Sequence, residues 1–251
     1  MYNKKKIGCV IPTRYDSSRL PGKVLLPFIG KPNLQHIIER VRRSKYIDTV
    51  VLAIADDDDK QILIDFAKKM KCDYYVGNKS IVIGRTLAAA NQFNIDIIVD
   101  ITADCTLVDP NLIDIMIETM DMNNANYVSN AKIRFFPDGF DIQVYNTKIY
   151  EHVFYKSNVT YPTHTGWNIS IAGRFMDMQI VNYKPPDLDY NYTHPDIRMV
   201  LDTEEDYKLL TAIFEHFGHN KFGWKEATEY VMEKELWRLT EKVITKHYSE
   251  G

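Results

Sequence analysis

Three fixed positive charges, Arg14, Arg19 and Lys23, fall in one short stretch, Ile11 to Lys23, that reads I-P-T-R-Y-D-S-S-R-L-P-G-K. The same stretch carries hydroxyls at Thr13, Ser17 and Ser18. Guanidinium, ammonium and hydroxyl donors on a loop, together with its backbone N–H groups, suit the oxygens of a polyanion. A nucleoside triphosphate is the expected occupant. The plain alternative is a basic surface loop that uses Pro21 and Gly22 to turn. The loop follows a buried-type apolar run and precedes a helical pattern, which is the context that makes a phosphate motif credible. It is neither a G-x-x-x-x-G-K-[ST] loop nor a G-x-G-x-x-G fingerprint, since its only glycines are Gly22 and Gly30.

Carboxylates are the second ingredient. Asp104 lies just past the apolar run Asp96 to Thr102, where a side chain is aimed at the ligand crevice. Opposite a triphosphate it would hold Mg²⁺, a hard cation that takes oxygen ligands and keeps several waters. A loop cap ahead of Asp109-Pro110 explains it equally well. Asp202 ends the run Arg198 to Leu201 and precedes Thr203-Glu204-Glu205-Asp206, so it is either a second metal ligand or the start of a capping box with Glu205. Asp138 and Asp141, in F-P-D-G-F-D-I-Q-V, could orient a hydroxylated acceptor, and a hairpin turn accounts for them nearly as well. His164, in T-H-T-G-W-N-I, is an acceptor-contact candidate, although a lone histidine is usually a satisfied polar residue. The acidic run Asp56 to Asp59 reads as a solvated helix start, and His194-Pro195-Asp196 as a turn.

The elements that must position these groups alternate regularly at first. Ile7 to Ile11, Thr49 to Ala55, Asp73 to Val76 and Asp96 to Thr102 read as strands. Helical spacing separates them, in Pro32 to Ser44, around Ile62 to Met70, in Arg85 to Phe93 and around Leu112 to Met120. This rhythm implies an α/β fold with a mostly parallel, Rossmann-like sheet covered by helices on both faces. Ligands in such sheets bind at the carboxyl ends of the strands. From about Asn126 the pattern shifts to short apolar runs, aromatics and turns, and residues 126–196 are expected to be an irregular β-rich insertion within a single nucleotidyltransferase domain spanning 1–251. Arg198 to Leu201 reads as a candidate return to the main sheet. Thr203 to Phe217 is a helix, and Trp224 to His247 is a charged, functionally quiet helical tail.

Composition narrows the function classes. With 251 residues, 45% hydrophobic and 26% charged, the chain can bury a sizeable core. A formal net charge of −3 argues against a protein that coats nucleic acid. Cys9, Cys72 and Cys105 show no metal-ligand spacing and are expected to be buried free thiols in a reducing cytoplasm. The apolar run after Lys4 to Lys6 is too short for a signal peptide or a membrane span.

Taken together, these stretches resemble the cytidylyltransferases that activate acidic sugars, in particular the 3-deoxy-manno-octulosonate enzymes and their spore-coat polysaccharide relatives. The resemblance covers about Ile7 to Phe217. It rests on Ile11-Pro12-Thr13-Arg14 followed by Ser17-Ser18-Arg19-Leu20-Pro21-Gly22-Lys23, then in order Gly84-Arg85, Thr102-Ala103-Asp104-Cys105, Pro137-Asp138-Gly139-Phe140-Asp141 and Asp202-Thr203-Glu204-Glu205-Asp206. It implies that Arg14, Arg19 and Lys23 bind the triphosphate of CTP, with Thr13, Ser18 and Thr102 also at the nucleotide and Arg85 in the cytidine pocket. Asp104 and Asp202 would hold Mg²⁺ from two sides. Lys23, Arg14 and Asp104 are the expected catalytic groups, and Asp138, Asp141 and His164 the acceptor side. A homodimer is also implied. The sequence departs from the family pattern at Tyr15-Asp16, at Gly84 before Arg85 and at Thr106, which leaves the acceptor open.

The expected chemistry is attack of an acceptor oxygen on the α-phosphorus of CTP with loss of pyrophosphate. Such transfer needs alignment and charge neutralisation more than a covalent nucleophile. CTP-dependent activation of a phosphonate or a phosphate-bearing molecule is an alternative, and a nucleotide-binding regulatory protein is another.

Overall fold

The computed structural model describes residues 1–156, 178–185, 194 and 196–243. Strand β1 (Ile7–Thr13) is followed by a 3-10 turn at Lys23–Leu25, a two-stranded hairpin of β2 (Pro27–Phe28) and β3 (Lys31–Pro32), and helix α1 (Asn33–Val41). Then come β4 (Thr49–Ala55), α2 (Lys60–Lys69), β5 (Asp73–Gly77), α3 (Val82–Gln92), β6 (Ile97–Asp100) and α4 (Pro110–Met122). The second half holds β7 (Tyr127–Ser129), β8 (Gln143–Asn146), α5 (Thr147–Lys156), β9 (Ile180–Asn182), α6 (Glu204–Phe217) and α7 (Trp224–Glu233).

Seven strands form one sheet in the order β5-β4-β1-β6-β8-β7-β9. All run parallel except β8, which is antiparallel to both β6 and β7. Side chains of β1 alternate between the two faces, as a strand's period of two requires. Ile7, Cys9 and Ile11 join the core beneath α1, α2, α4, α6 and α7, whereas Val10 joins a second core beneath α3 and α5. The expected α/β sheet with helices on both faces is therefore the observed one.

Within 126–196 the described strands β7, β8 and β9 join the main sheet, and the same region holds a helix, α5. Two expectations change in detail. Arg198 to Leu201 does not return to the sheet: Arg198 makes only an isolated bridge to Asp138, because both edges of β6 are already taken by β1 and β8. Within the described part of the tail, to Val243, the α-helix ends at Glu233, Glu235 adopts a positive φ of 51° and a short 3-10 turn at Leu236–Leu239 follows, while 244–247 lie outside the described residues.

Gly84, one of the departures from the family pattern, sits in α3 facing Phe154 of α5, where a Cβ would stand 3.1 Å from the ring. All three cysteines are buried free thiols. No helix among the described residues is long and apolar enough to cross a membrane.

Candidate active site

The chain builds outward from β1 to β4 and β5, then returns to the other side of β1 at β6. Strand order therefore reverses between β1 and β6, and a crevice opens beyond their carboxyl ends. The basic loop leaves from the end of β1, and Asp104 follows the end of β6. The 3-10 turn carries Lys23 back over these ends, held by Leu25 N–H to Gly22 O at 2.9 Å and Lys23 N–H to Leu20 O at 3.2 Å.

Lys23 is the centre of the arrangement. Its Nζ lies 3.3 Å from Asp104 Oδ2 and 3.0 Å from Asp202 Oδ1, and Arg19 pairs with the other oxygen of Asp202. Burial works against the charged ammonium, but the two carboxylates outweigh it and hold the Lys23 pKa above its ordinary value. Asp104 shows the converse: burial pushes it up, while Lys23 and a hydrogen bond from the Thr102 hydroxyl hold it below the usual carboxylate range. Two carboxylates that already share one cation suit a divalent ion bound by one or two protein oxygens, with phosphate and water completing the shell. Two carboxylate donors, Asp104 and Asp202, are what these residues offer a hard divalent cation.

The capping-box reading of Asp202 is corrected. The box is formed by Thr203 and Asp206: Asp206 N–H donates to Thr203 Oγ1 at 3.3 Å, and Thr203 N–H to Asp206 Oδ2 at 2.8 Å. The Asp202 carboxylate is thereby left to the crevice. The segment before it crosses the strand ends and is tied on both sides. Asp138 N–H donates to Ile197 O at 2.8 Å, Met199 N–H to Asp138 O at 2.7 Å, and Leu201 N–H to Asp104 O at 3.0 Å.

Other expected site residues lie at varying distance from this centre. The Arg14 side chain is exposed, with Nε 3.9 Å from Asp16, and Asp16 in turn pairs with Lys79, so the acidic departure at residue 16 is neutralised by neighbouring cations. Tyr15 O accepts the Gly22 N–H at 3.2 Å, which braces the turn under Lys23. Ser18 is exposed, and the Thr13 hydroxyl is buried without a hydrogen-bond partner. Arg85 is buried and donates through Nε to Ala53 O at 3.0 Å and through Nη1 to Asn78 O at 2.6 Å, so it shapes the loop after β5. Burial, with help from Arg14, pushes its pKa down to about 10. The acidic run at 56–59 precedes α2 without capping it, and both Asp57 carboxylate oxygens are shielded and unpartnered rather than solvated.

On the opposite side, Asp138 and Asp141 are brought together, but not by a tight hairpin: β7 and β8 pair across the whole 130–142 loop. Arg134 spans both carboxylates, 3.2 Å from Asp138 and in a fork of 2.6 and 2.9 Å with Asp141. Burial and the Asp138 charge raise the Asp141 pKa despite that fork. Arg198 is the second cation, forked to Asp206 at 2.8 and 2.9 Å and within 3.6 Å of Asp138 and 3.5 Å of Asp202. Neither arginine was singled out from sequence. Their one signal there is spacing, since Arg134 and Arg198 each stand four residues before an aspartate. His164 lies outside the described residues.

A family model described as "Cytidylyltransferase" matches residues 8–168. The spore coat polysaccharide biosynthesis protein SpsF of Bacillus subtilis is 27% identical over 217 residues, 83% of this chain and 86% of its own. A 3-deoxy-manno-octulosonate cytidylyltransferase of Geobacter sulfurreducens is 32% identical over 131 residues, 51% of this chain and 50% of its own. Among solved structures, a cytidylyltransferase from Leptospira borgpetersenii superposes with a TM-score of 0.82 at 25% identity, covering 96% of this chain and all of that one.

Proposed function

Since the chain belongs to the cytidylyltransferase family, we propose that it moves CMP from CTP to an oxygen of an acidic sugar or a similar small acceptor, releasing pyrophosphate. The observation that carries this reading is the shared ion pair of Lys23 with Asp104 and Asp202 beyond the ends of β1 and β6. The acidic sugar is suggested by the octulosonate named for one relative.

In the proposed reaction the acceptor hydroxyl oxygen forms a bond to the α-phosphorus, the bond from that phosphorus to the α,β-bridging oxygen breaks, and the hydroxyl proton passes to solvent. Lys23, Arg19 and Arg14 take up charge on the departing pyrophosphate, because fixed cations cost no reorganisation at the moment of transfer. Thr13, Ser18 and Thr102 offer hydroxyls to the nucleotide, and Arg85 keeps the loop beside the base in place. Mg²⁺ on Asp104 and Asp202 would polarise the α-phosphate and lower the pKa of the acceptor hydroxyl. Asp138 and Asp141 orient the acceptor. The segment 126–196 serves as the acceptor and dimer side of a single domain in a cytoplasmic homodimer, an arrangement that light scattering tests directly.

The test is pyrophosphate release from CTP, UTP and GTP with Mg²⁺ across a panel of acidic sugars. Release with CTP and at least one such sugar is expected, and Asp104→Asn should lower the rate about a hundredfold or more. Release with UTP or GTP but never with CTP would overturn the base assignment.

A further inference from the structure

Arg198 is a buried guanidinium surrounded by three carboxylates, and only one of them accounts for the fold. Asp206 takes its Nε and Nη2 at 2.8 and 2.9 Å and also accepts the Asp202 and Thr203 N–H groups, which completes the start of α6. The remaining reach of the guanidinium is toward the crevice. Nη2 lies 3.5 Å from Asp202 Oδ2, on the nucleotide side, and Nη1 lies 3.6 Å from Asp138 Oδ2, on the acceptor side. These separations are too long for short hydrogen bonds, so the coupling they carry is mainly Coulombic. It is strong all the same, because the Arg198 side chain is only 8% exposed and little water screens it.

The backbone locks the same three points together. Residues 197–201 donate to and accept from Asp138 on one side and donate to Asp104 on the other. The Asp138-Gly139 turn fits this close because Gly139 has no side chain; a Cβ would stand 2.4 Å from Met199 O.

We propose that Arg198 is a positioning residue that couples the Asp202 carboxylate to the Asp138 turn, so that the nucleotide half and the acceptor half of the site are set by one buried cation. This rests on the reading of Asp202 as part of a metal–nucleotide site. Removing the Asp138 charge leaves Arg198 with one counter-ion fewer. Its guanidinium then draws more strongly on Asp202 and competes there with an incoming divalent cation. A lysine at 198 keeps a charge but, as a point cation, cannot span three carboxylates as a planar fork does.

The experiment measures binding of CTP to the full-length protein by equilibrium dialysis at saturating Mn²⁺, with no acceptor present. Asp138→Asn is expected to weaken Mn²⁺·CTP binding by about three- to tenfold although the ion pairs of Asp138 are with Arg134 and Arg198 and those of Asp104 and Asp202 with Lys23 are separate from them. Asp138→Glu, which restores the charge, should recover the affinity. In an Arg198→Lys background the effect of Asp138→Asn should fall below twofold. An unchanged affinity in Asp138→Asn, no recovery in Asp138→Glu, or an equal loss in a folded Arg198→Lys protein would each overturn the coupling. A purely structural role for Arg198 would lower the melting temperature of Arg198→Lys and leave the response to Asp138→Asn intact. A wild-type protein that binds no Mn²⁺·CTP would instead overturn the metal–nucleotide reading itself, and the coupling with it.

Discussion

At the scale of single residues, the site is a balance of charge around Lys23. Its ammonium lies about equally far from Asp104 and Asp202, and Arg19 adds a second cation to Asp202. A divalent ion entering alone must displace that ammonium from both carboxylates it pairs with among the described residues, whereas a triphosphate supplies new oxygen partners for both Lys23 and Arg19. Lys23→Met should therefore tighten Mn²⁺ binding to the nucleotide-free protein by at least about tenfold, which equilibrium dialysis can measure. An unchanged affinity would show that Lys23 does not compete for the carboxylates. Asp104 was legible in sequence because it follows the most apolar strand of the middle. Its pairing with Asp202 came from the family resemblance, whereas the ion pair both carboxylates share with Lys23 was not foreseen, since Asp104 and Asp202 lie 98 positions apart and no local spacing encodes the contact.

At the scale of elements, short irregular pieces do most of the positioning. The 3-10 turn at Lys23–Leu25 aims Lys23, and the 197–201 segment holds Asp104 and Asp138 by backbone bonds. Gly139, at φ 108°, occupies a backbone region that L side chains rarely adopt, directly against Met199. Gly139→Ala should cost about 2–3 kcal/mol of stability in urea denaturation and disturb the Asp138 side more than the Lys23 side. Full stability in that variant would mean that the turn can relax away from Met199. The sequence pattern identified the turn through Pro137-Asp138-Gly139, yet it read Arg198 to Leu201 as a sheet strand. Apolar alternation reports burial, and it cannot tell a strand in a sheet from a single extended segment laid across strand ends.

At the scale of the whole molecule, Arg40 joins parts of the chain that the site depends on. It is fully buried in α1, and its guanidinium donates to Val108 O at 2.7 Å, Leu107 O at 3.0 Å, Asn220 O at 2.8 Å and Phe222 O at 2.8 Å. It thus ties α1 to the loop that carries Asp104 and to the connection between α6 and α7. Burial pushes its pKa down to about 9, which leaves it protonated at neutral pH. Arg40→Met removes the donors and strands four carbonyls, so it should lower stability by at least ~3 kcal/mol, measured by urea denaturation. A loss below about 1 kcal/mol would mean that water or rearranged backbone satisfies those carbonyls.

The sequence by itself determined the class of fold and the family, because alternating strand and helix periodicity is local and the basic loop keeps its order with the later motifs. It also determined which residues carry charge at the strand ends. Tertiary structure alone decided how those charges are paired. It assigned the helix cap to Asp206, which left Asp202 to Lys23, and it brought Arg134 between Asp138 and Asp141 and Arg198 among Asp138, Asp202 and Asp206. The reason is physical: periodicity records which face of an element is buried, while an ion pair between distant segments depends on where the packed sheet and its crossovers bring them together.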